Sequence, residues 1–493
     1  LGLGNKIVRN MAVTFSPAFL AANIFRDPAT ALYNLQATEG KDYTKEFLMG
    51  AKNPTDPAMG DAKGKGRTGL GQAWKILNSV YTNRENADPK HVAWVEEWEG
   101  AGGRQSFTQA LKEMDDGWKS FEGALSIANK PGISHAYKAL EWVEKYNIIV
   151  ENMSRFSAYS TVMEAYERGE IPNWDTKEKA QREAAIISKE LTTNFDRKGF
   201  SSQAIGLWNI FFNATVQGNV QVVRNMIKSK KLQKLVAGTV VSATMFDILG
   251  RMTADEDEEG RNEWDNIPGY IKDRNIILPF KVNGVYIKIP APWVFNSFMR
   301  AGGMIGELAL PVDMGIMTMN TFNPMASASL LQSLSPTILK PFVQSAENKN
   351  FAGNPIKPSS FPGAASLPES QLYWGSTPKT YVSIAETLNA FSGGDVAKSG
   401  FIDISPGVMN NFVNFWTAGV GKAVGQAYEM GGLLGGDKEF EVKDVPVIST
   451  YAFTPGAQVD VQLYHDRVAQ ILQAEKAVNL YGKGKTRDIE KQR

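Results

Sequence analysis

The spacing of apolar residues predicts helices through most of residues 73–230. Leu140, Val143, Tyr146 and Val150 lie three or four residues apart, which places them on one face of a helix. This pattern predicts a long helix whose apolar face is turned toward a core.

A second helix is predicted to begin near Asp175. Asp175 is a favourable N-cap residue, and Glu178 three positions later completes the form of a capping box. Ala180, Ala184 and Ile187 then continue an apolar face at helical spacing. We therefore expect a capped amphipathic helix after the long one.

Proline and glycine divide the first 72 residues. Pro17 and Pro28 are expected to break residues 1–50 into short helices, because proline has no N–H to donate within a helix. Residues 51–72 are rich in glycine and proline, which is typical of a loop.

Two stretches, 199–223 and 314–339, contain no charged residue. The first is rich in Ser, Asn and Gln and the second holds Met, Ser, Asn and Pro, which favours buried helices with hydrogen-bonded polar side chains over helices in a bilayer. The apolar run at 235–246 is also shorter than the roughly 20 residues that a membrane span requires.

The clearest β signal surrounds Asn283-Gly284. This dipeptide favours a type I′ turn, and the residues at 275–281 and 285–289 on either side are rich in strand formers. We therefore predict a mainly α, multi-helix and elongated fold with one small β-hairpin near 275–290. The many prolines and glycines near 350–380 predict an extended, wrapping segment.

These composition shifts predict five regions along the chain. They are N-terminal helices with a Gly-rich loop, a helical core domain, an acidic loop with the hairpin and a helix, a charge-poor then extended segment, and a C-terminal helical region with a basic tail. Their bounds are 1–72, 73–254, 255–310, 311–380 and 381–493.

Composition narrows the chemistry. The 493 residues include 53 Lys plus Arg and 52 Asp plus Glu, so the net charge of +1 argues against nucleic-acid binding by bulk charge. No cysteine is present, which excludes disulfides, thiol nucleophiles and thiolate metal sites. The three histidines are far apart, and no catalytic, cofactor-binding or metal-binding residue is assigned.

A local basic cluster departs from this neutral balance. It lies within eleven residues, is a candidate for contact with DNA or phosphate, and is expected to form the basic C-terminal end of a helix, where the helix dipole favours cations. Its members are Arg224, Lys228, Lys230, Lys231 and Lys234.

Three other patterns have simpler structural readings. The GxGxxG sequence at 64–69 follows no predicted strand, so a loop is favoured over a dinucleotide site. The acidic run at 255–259 lacks the spacing of a calcium loop, which favours a solvated loop. Glu151 and Arg155 have i,i+4 spacing, which favours an ion pair over a carboxylate pair for acid–base catalysis.

Several short motifs resemble, in the same order, those of a phage domain family. In the first half they are Pro17, Asn23, Arg26 and Asp27, then Glu151 and Arg155, then residues 193–199, and then residues 211–214 with 217–218. In the second half they are residues 348–351 with 355–356, residues 405–407 and residues 419–421.

The family is the large polyvalent-protein-associated domain of type 38. It lies near the C-terminal end of very long phage and prophage proteins, and no catalytic residues are transferred from it. The resemblance makes eleven residues candidates for structural or assembly roles: Arg26, Asp27, Glu151, Arg155, Asn194, Phe195, Arg197, Gly199, Phe212, Asn213 and Gln217. Arg26 and Asp27 are expected to order the turn at Pro28.

The resemblance implies a segment of an internal, or ejection, virion protein of a short-tailed phage. The expected site is the capsid core or portal, and then the host envelope, where the segment helps to form a conduit for the genome. Expected partners are further copies of the chain, other internal or portal proteins, packaged DNA and the host membrane. No cofactor is expected, and the chain begins at Leu1 rather than Met, as expected of a piece of a longer polypeptide.

Two alternatives stay open from the sequence. One is part of a virion enzyme, either a peptidoglycan hydrolase or a polypeptide with a virion RNA polymerase. The other is a membrane-active module. The pattern favours a structural role over an enzymatic one for these residues.

Overall fold

The structure is a computed structural model of the chain. It describes residues 8, 10–35, 43–50, 65–104, 133–192, 212–256, 260–292, 294–308, 329–351, 353–358, 367–375, 377–434 and 448–454. The described part is mainly helical with a small antiparallel sheet, which confirms the predicted fold class.

The helices of the first half follow a π-helical turn at Asn10–Thr14. In chain order they are α1 (Pro17–Leu35), α2 (Thr44–Met49), α3 (Leu70–Thr82), α4 (Pro89–Gly100), α5 (Ile133–Glu167), α6 (Lys177–Glu190), α7 (Phe212–Lys228) and α8 (Lys230–Thr253).

The second half begins with α9 (Gly269–Lys272), β1 (Asn275–Val282) and β2 (Val285–Pro290). It continues with α10 (Asn296–Gly306), α11 (Leu330–Leu334), α12 (Lys340–Glu347), α13 (Lys379–Phe391), α14 (Pro406–Leu434, kinked at Ala418), α15 (Ile448–Tyr451) and β3 (Ala452–Phe453). Single 3₁₀ turns lie at Arg84–Asn86, Thr337–Leu339 and Glu369–Gln371.

Helix α5 is the long helix that the spacing predicts, and it is the centre of the first core. Residues 149–163 are buried on every side, as in a helix surrounded by other elements. Trp98 of α4 is fully buried and meets Phe156 of α5 edge to face, with 5.5 Å between ring centroids. Helices α3, α4 and α6 complete this cluster.

The expectation that Pro28 breaks the N-terminal region is wrong. Helix α1 runs through Pro28, and Pro17 takes its first position, where the missing N–H costs nothing. Ala31 and Leu35 of α1 join a buried cluster with Ala158 and Ala165 of α5. Burial of this face offsets the cost of a proline inside the helix, which is about 3 kcal/mol.

The N-cap of α6 is also one residue later than predicted. Thr176, not Asp175, has the extended backbone of a cap, and its Oγ1 accepts a hydrogen bond from the Lys179 N–H at 3.2 Å. Asp175 instead forms an exposed ion pair with Lys179. Ala180 and Ala184 lie on the buried face, as the spacing predicts.

The β-hairpin is confirmed. Asn283 and Gly284 both have positive φ, 50° and 81°, as a type I′ turn requires. Strands β1 and β2 pair from Asn275 with Pro290 to Val282 with Val285, with a register shift between Ile277 and Lys281. A third strand, β3, pairs antiparallel with β2 from more than 150 residues away, and the sequence analysis did not predict it.

Helix α8 packs against α10 and β1, and this contact positions the site described below. Thr244 Oγ1 of α8 donates a hydrogen bond to the carbonyl of Gly302 in α10 at 2.8 Å. A Cβ at Gly302 would come within 2.2 Å of the Val240 carbonyl oxygen, so only glycine permits this approach. Tyr33 of α1 reaches the same helix, with 2.6 Å between its hydroxyl and Thr239 Oγ1.

The region predicted to be extended wraps between α12 and α14. Asn348 ends α12 in the left-handed conformation and exchanges two side-chain hydrogen bonds with the Lys357 backbone, at 2.8 and 3.0 Å. Ser405 Oγ donates to the Leu372 carbonyl at 2.6 Å, at the start of α14. Two of the family-like motifs therefore hold this segment against helices.

Candidate functional site

The outward face of α8 carries large apolar side chains. Val241, Met245, Ile248 and Met252 recur every three or four residues and are 58, 56, 45 and 76% exposed. We call these four residues the apolar stripe. Side chains of this size are normally buried, so a continuous exposed row of them marks a surface for contact with a partner.

The opposite face of α8 is anchored by Asp247, which is buried. Its Oδ1 accepts a hydrogen bond from Trp264 Nε1 at 2.7 Å, and Arg251 Nε lies 3.2 Å from Oδ2. Gly250 contributes to the same contact, because a Cβ there would come within 2.3 Å of the Trp264 ring. These contacts fix the rotation of α8 and keep the apolar stripe outside.

Helix α7 has a similar exposed row, consisting of Val220, Val223 and Ile227. Val222 between them is buried with Val294 and Phe295. The expectation that residues 199–223 form a buried helix is therefore wrong for its described end. In the described part of the helix, the side that carries Val222 packs against α8 and the residues after β2, and Asn225 donates a hydrogen bond to Asn34 of α1 at 3.0 Å.

All five residues of the basic cluster are exposed. Arg224 and Lys228 lie at the end of α7, whereas Lys230 and Lys231 are the first two residues of α8, and Lys234 follows one turn later. The prediction of a basic C-terminal helix end thus holds for α7 and is wrong for α8. Ser229 breaks the helix and caps α8 through a hydrogen bond from Leu232 N–H.

The junction between α7 and α8 at Ser229 carries mainly positive charge. No acidic residue occurs in the sequence between Asp196 and Asp247. Lys230 and Lys231 also lie at the positive end of the α8 dipole, which disfavours cations. The exposed side chains of Arg224, Lys228, Lys230 and Lys234 therefore give the junction a positively charged surface.

Helix α8 is also longer than the apolar run that predicted it. Its 24 residues span about 36 Å, and among the described residues it is the one helix long and apolar enough to cross a membrane. Its buried Asp247 and its packing on α10 and β1 show that it also serves as a core helix of this fold.

An ion network lies behind the inner face of α8. Lys272 Nζ is 2.9 Å from Glu307 Oε1 and 3.7 Å from Asp247 Oδ1, and Arg300 binds both Glu307 at 2.8 Å and Asp273 at 2.9 Å. Burial opposes ionisation of Glu307, but the bonds from Arg300 and Lys272 outweigh it and hold its pKa below the usual value. Burial raises the pKa of Asp273 despite Arg300.

A cavity of about 480 Å³ adjoins this network, between α8, β1 and α10. Its lining is mostly apolar and includes Leu235, Phe246, Ile276, Ile277 and Met299. Three of the four charged residues at its wall, Asp247, Lys272 and Arg300, are engaged by one another or by Glu307 and Asp273, and the fourth is the exposed Lys234. The cavity therefore suits an apolar group.

The structure brings four predicted assembly residues into electrostatic contact. Arg155 is buried in α5 and binds Glu151 at 3.3 Å and Thr192 Oγ1 at 2.9 Å, which confirms the predicted ion pair. Asp27 of α1 lies within the field of this pair and of Arg26. Burial raises the pKa of Asp27 to about 7, opposed by Arg155 and Arg26 and reinforced by Glu151.

The role expected for Arg26 and Asp27 is therefore wrong. They do not order a turn, because Pro28 lies inside α1. Burial lowers the pKa of Arg26 despite the neighbouring Asp27, so both residues belong to a partly desolvated charged contact between α1 and α5.

The other predicted residues are not brought to this surface by described contacts. Asn194, Phe195, Arg197 and Gly199 lie outside the described residues. Phe212, Asn213 and Gln217 have a helical backbone in α7, and their side chains lie outside the described part.

Comparison with known families bears on the second half of the chain. Residues 261–448 match the model of the large polyvalent protein associated domain 38. This match confirms the resemblance over residues 261–448, a segment that is similar to a domain of phage-associated polyvalent proteins. No curated protein and no solved structure matches the chain.

The matched domain covers some of the quoted motifs and not others. It includes residues 348–351, 405–407 and 419–421, whereas the motifs from Pro17 to Gly218 precede it. Helices α7 and α8 also precede it, but their supports β1, β2 and α10 lie within it. Elements of the matched segment therefore hold the inner face of α8.

The outward orientation of α8 and the position of lysines at its N-terminus were not predicted from the sequence. Ser229 was the available signal, since serine before a run of helix formers is a common N-cap. The missing acidic residues between Asp196 and Asp247 were a second signal. Neither the Asp247–Trp264 contact nor the cavity has a local sequence signal.

Proposed function

We propose that this chain is a structural segment of an internal virion protein of a short-tailed phage. It is packaged in the particle and delivered into the host envelope, where it helps to form a conduit for the genome. Its partners are further copies of itself and other internal or portal proteins. The proposal extends the polyvalent-protein domain of residues 261–448 to a specific stage of infection.

One arrangement carries this proposal. Elements of the matched domain, β1 and α10, hold α8 by its inner face and leave its apolar stripe exposed. A protein that acts in an envelope requires such an exposed apolar surface, whereas a soluble scaffold is expected to cover it.

Quantitative mass spectrometry of purified phage particles tests the proposal. We expect peptides from residues 212–254 and from the matched domain in the particles, and again in the envelope fraction of newly infected cells. A phage protein that is made but not packaged is the control and must be absent from the particles. Absence of this chain from the particles would overturn the proposal.

A further inference from the structure

We propose that α7 and α8 dock in the plane of a bilayer that contains anionic phospholipids. The contact consists of the basic cluster, the apolar stripe of α8 and the exposed row Val220, Val223 and Ile227 of α7. This inference depends on the proposed function only for the place where the chain meets a bilayer, the host envelope.

Charge complementarity identifies the partner as anionic. Arg224, Lys228, Lys230 and Lys234 are exposed, and no acidic residue occurs in the sequence between Asp196 and Asp247. Lys230 and Lys231 lie at the positive end of the α8 dipole, where they are unfavourable in the isolated fold. Anionic headgroups near this junction balance both the side chains and the dipole.

The exposed apolar side chains favour a bilayer over DNA. Ile227 lies next to Lys228, and Val223 next to Arg224, so apolar and basic side chains alternate on one exposed helix end. Phosphate contacts alone satisfy the lysines on DNA and leave these side chains in water. In a bilayer interface the apolar side chains enter the acyl region while the cations remain among the headgroups.

The inner face of α8 favours docking in the plane over crossing the bilayer. Asp247 is held by Trp264, and Thr244 is bonded to Gly302. A spanning α8 would have to leave these partners and carry Asp247 into hydrocarbon, where an ionised side chain is strongly disfavoured. In-plane docking uses only the outer face and leaves the fold intact.

Vesicle flotation of the full chain tests this inference. One set of vesicles is pure phosphatidylcholine, and the other contains phosphatidylglycerol as well. We expect the chain to float with the anionic vesicles and to remain in solution with the neutral ones. Added salt should weaken the association, because the electrostatic part is screened.

Two triple variants test the electrostatic and the apolar contributions to vesicle binding separately. Replacing Lys228, Lys230 and Lys234 with Gln should lower the partition coefficient on anionic vesicles about a hundredfold, since each cation near the surface contributes about fivefold. Replacing Met245, Ile248 and Met252 with Ser should lower it about tenfold or more, through loss of apolar burial.

Two matched controls make the same kinds of replacement at exposed positions outside the proposed lipid-binding surface. Replacing the exposed residues Lys75, Lys138 and Lys145 with Gln removes the same charge from α3 and α5. Replacing Phe391, Val396 and Phe401 with Ser removes apolar side chains that are 89, 72 and 94% exposed. Both controls should float like the unmodified chain, and circular dichroism should show that all four variants fold.

Four outcomes would overturn the inference. They are flotation with both vesicle types equally, no loss in the lysine variant, binding of duplex DNA through these lysines without vesicle binding, and resistance of bound protein to alkaline extraction, which marks a spanning helix. The proposed function is tested separately. If the chain floats as expected but is absent from phage particles, the lipid-binding surface is supported and the virion role is overturned.

Discussion

The carboxylate of Asp247 accepts a hydrogen bond from the indole Nε1 of Trp264 at 2.7 Å, inside the contact between α8 and the chain that follows it. This bond lies on the face of α8 opposite the apolar stripe. It connects a residue before the polyvalent-protein domain to one within it. The stability of this contact therefore determines whether α8 presents its apolar side chains outward.

Asp247→Ala should destabilise the fold by about 2–4 kcal/mol, because it removes the acceptor of the buried Trp264 N–H and one of the two carboxylates that pair with Lys272 and with Arg251. Urea unfolding measures the loss. Asp255→Ala is the control, since Asp255 is exposed in its pair with Lys281 and should change stability by less than about 1 kcal/mol. Equal effects of the two variants would show that Asp247 does not anchor α8.

Gly250→Ala should cost about 1–3 kcal/mol, because the new Cβ meets the Trp264 ring at 2.3 Å. Gly238 in the same helix has nothing within 4 Å of a built Cβ, so Gly238→Ala should stabilise α8 by about 0.5–1 kcal/mol. Thermal unfolding of the two variants compares them directly. The same sign for both would contradict the packing described here.

Asp27 should make stability depend on pH. Burial raises its pKa to about 7, above the value of about 3.9 in an unfolded chain. The folded state therefore binds the proton more tightly, and this contribution is complete below about pH 3.9 and is lost as pH rises through 7.

Asp27→Asn should remove that slope. We expect the variant to match the unmodified chain near pH 4 and to be more stable by about 1–3 kcal/mol at pH 8. Urea unfolding across this range measures it. Parallel curves for the two proteins would show that Asp27 does not titrate in this interval.

Lys230→Glu should change stability and lipid binding in opposite directions. At the first position of α8 an anion suits the helix dipole, so stability should rise by about 0.3–1 kcal/mol while flotation with anionic vesicles falls. Lys228→Glu is the matched control, because Lys228 lies in the last turn of α7 and its replacement should lower both. A loss of stability in both variants would argue against the helix boundary at Ser229.

Short sequence patterns predicted those helices and strands whose conformation is set by residues close together in the chain. The hairpin follows from the positive φ of Asn283 and Gly284, and α5 follows from its apolar spacing, so both could be predicted. The continuation of α1 through Pro28 could not, because contacts with α5 decide it. The division into five regions stays a prediction.

The candidate site depends even more on contacts between residues that are far apart in the sequence. The basic cluster is evident in sequence, but its placement across two helix ends depends on one cap at Ser229. The exposure of Met245 and Met252 depends on which side of α8 meets α10. Hydrophobic spacing cannot supply that choice, since Asp247 is the only charged residue between Leu235 and Gly250, and apolar side chains lie on both faces of this part of α8.

The contact between Tyr451 and Ala21 limits how the folded chain could pass through a narrow channel. The Tyr451 hydroxyl donates a hydrogen bond to the carbonyl oxygen of Ala21, 430 residues earlier. Strand β3, which follows Tyr451 directly, pairs with β2 of the hairpin. Phe25 packs on the same tyrosine with 5.5 Å between ring centroids. If the chain passes through a channel too narrow for its folded structure, this contact has to break, and it can form again only after both Ala21 and Tyr451 have passed.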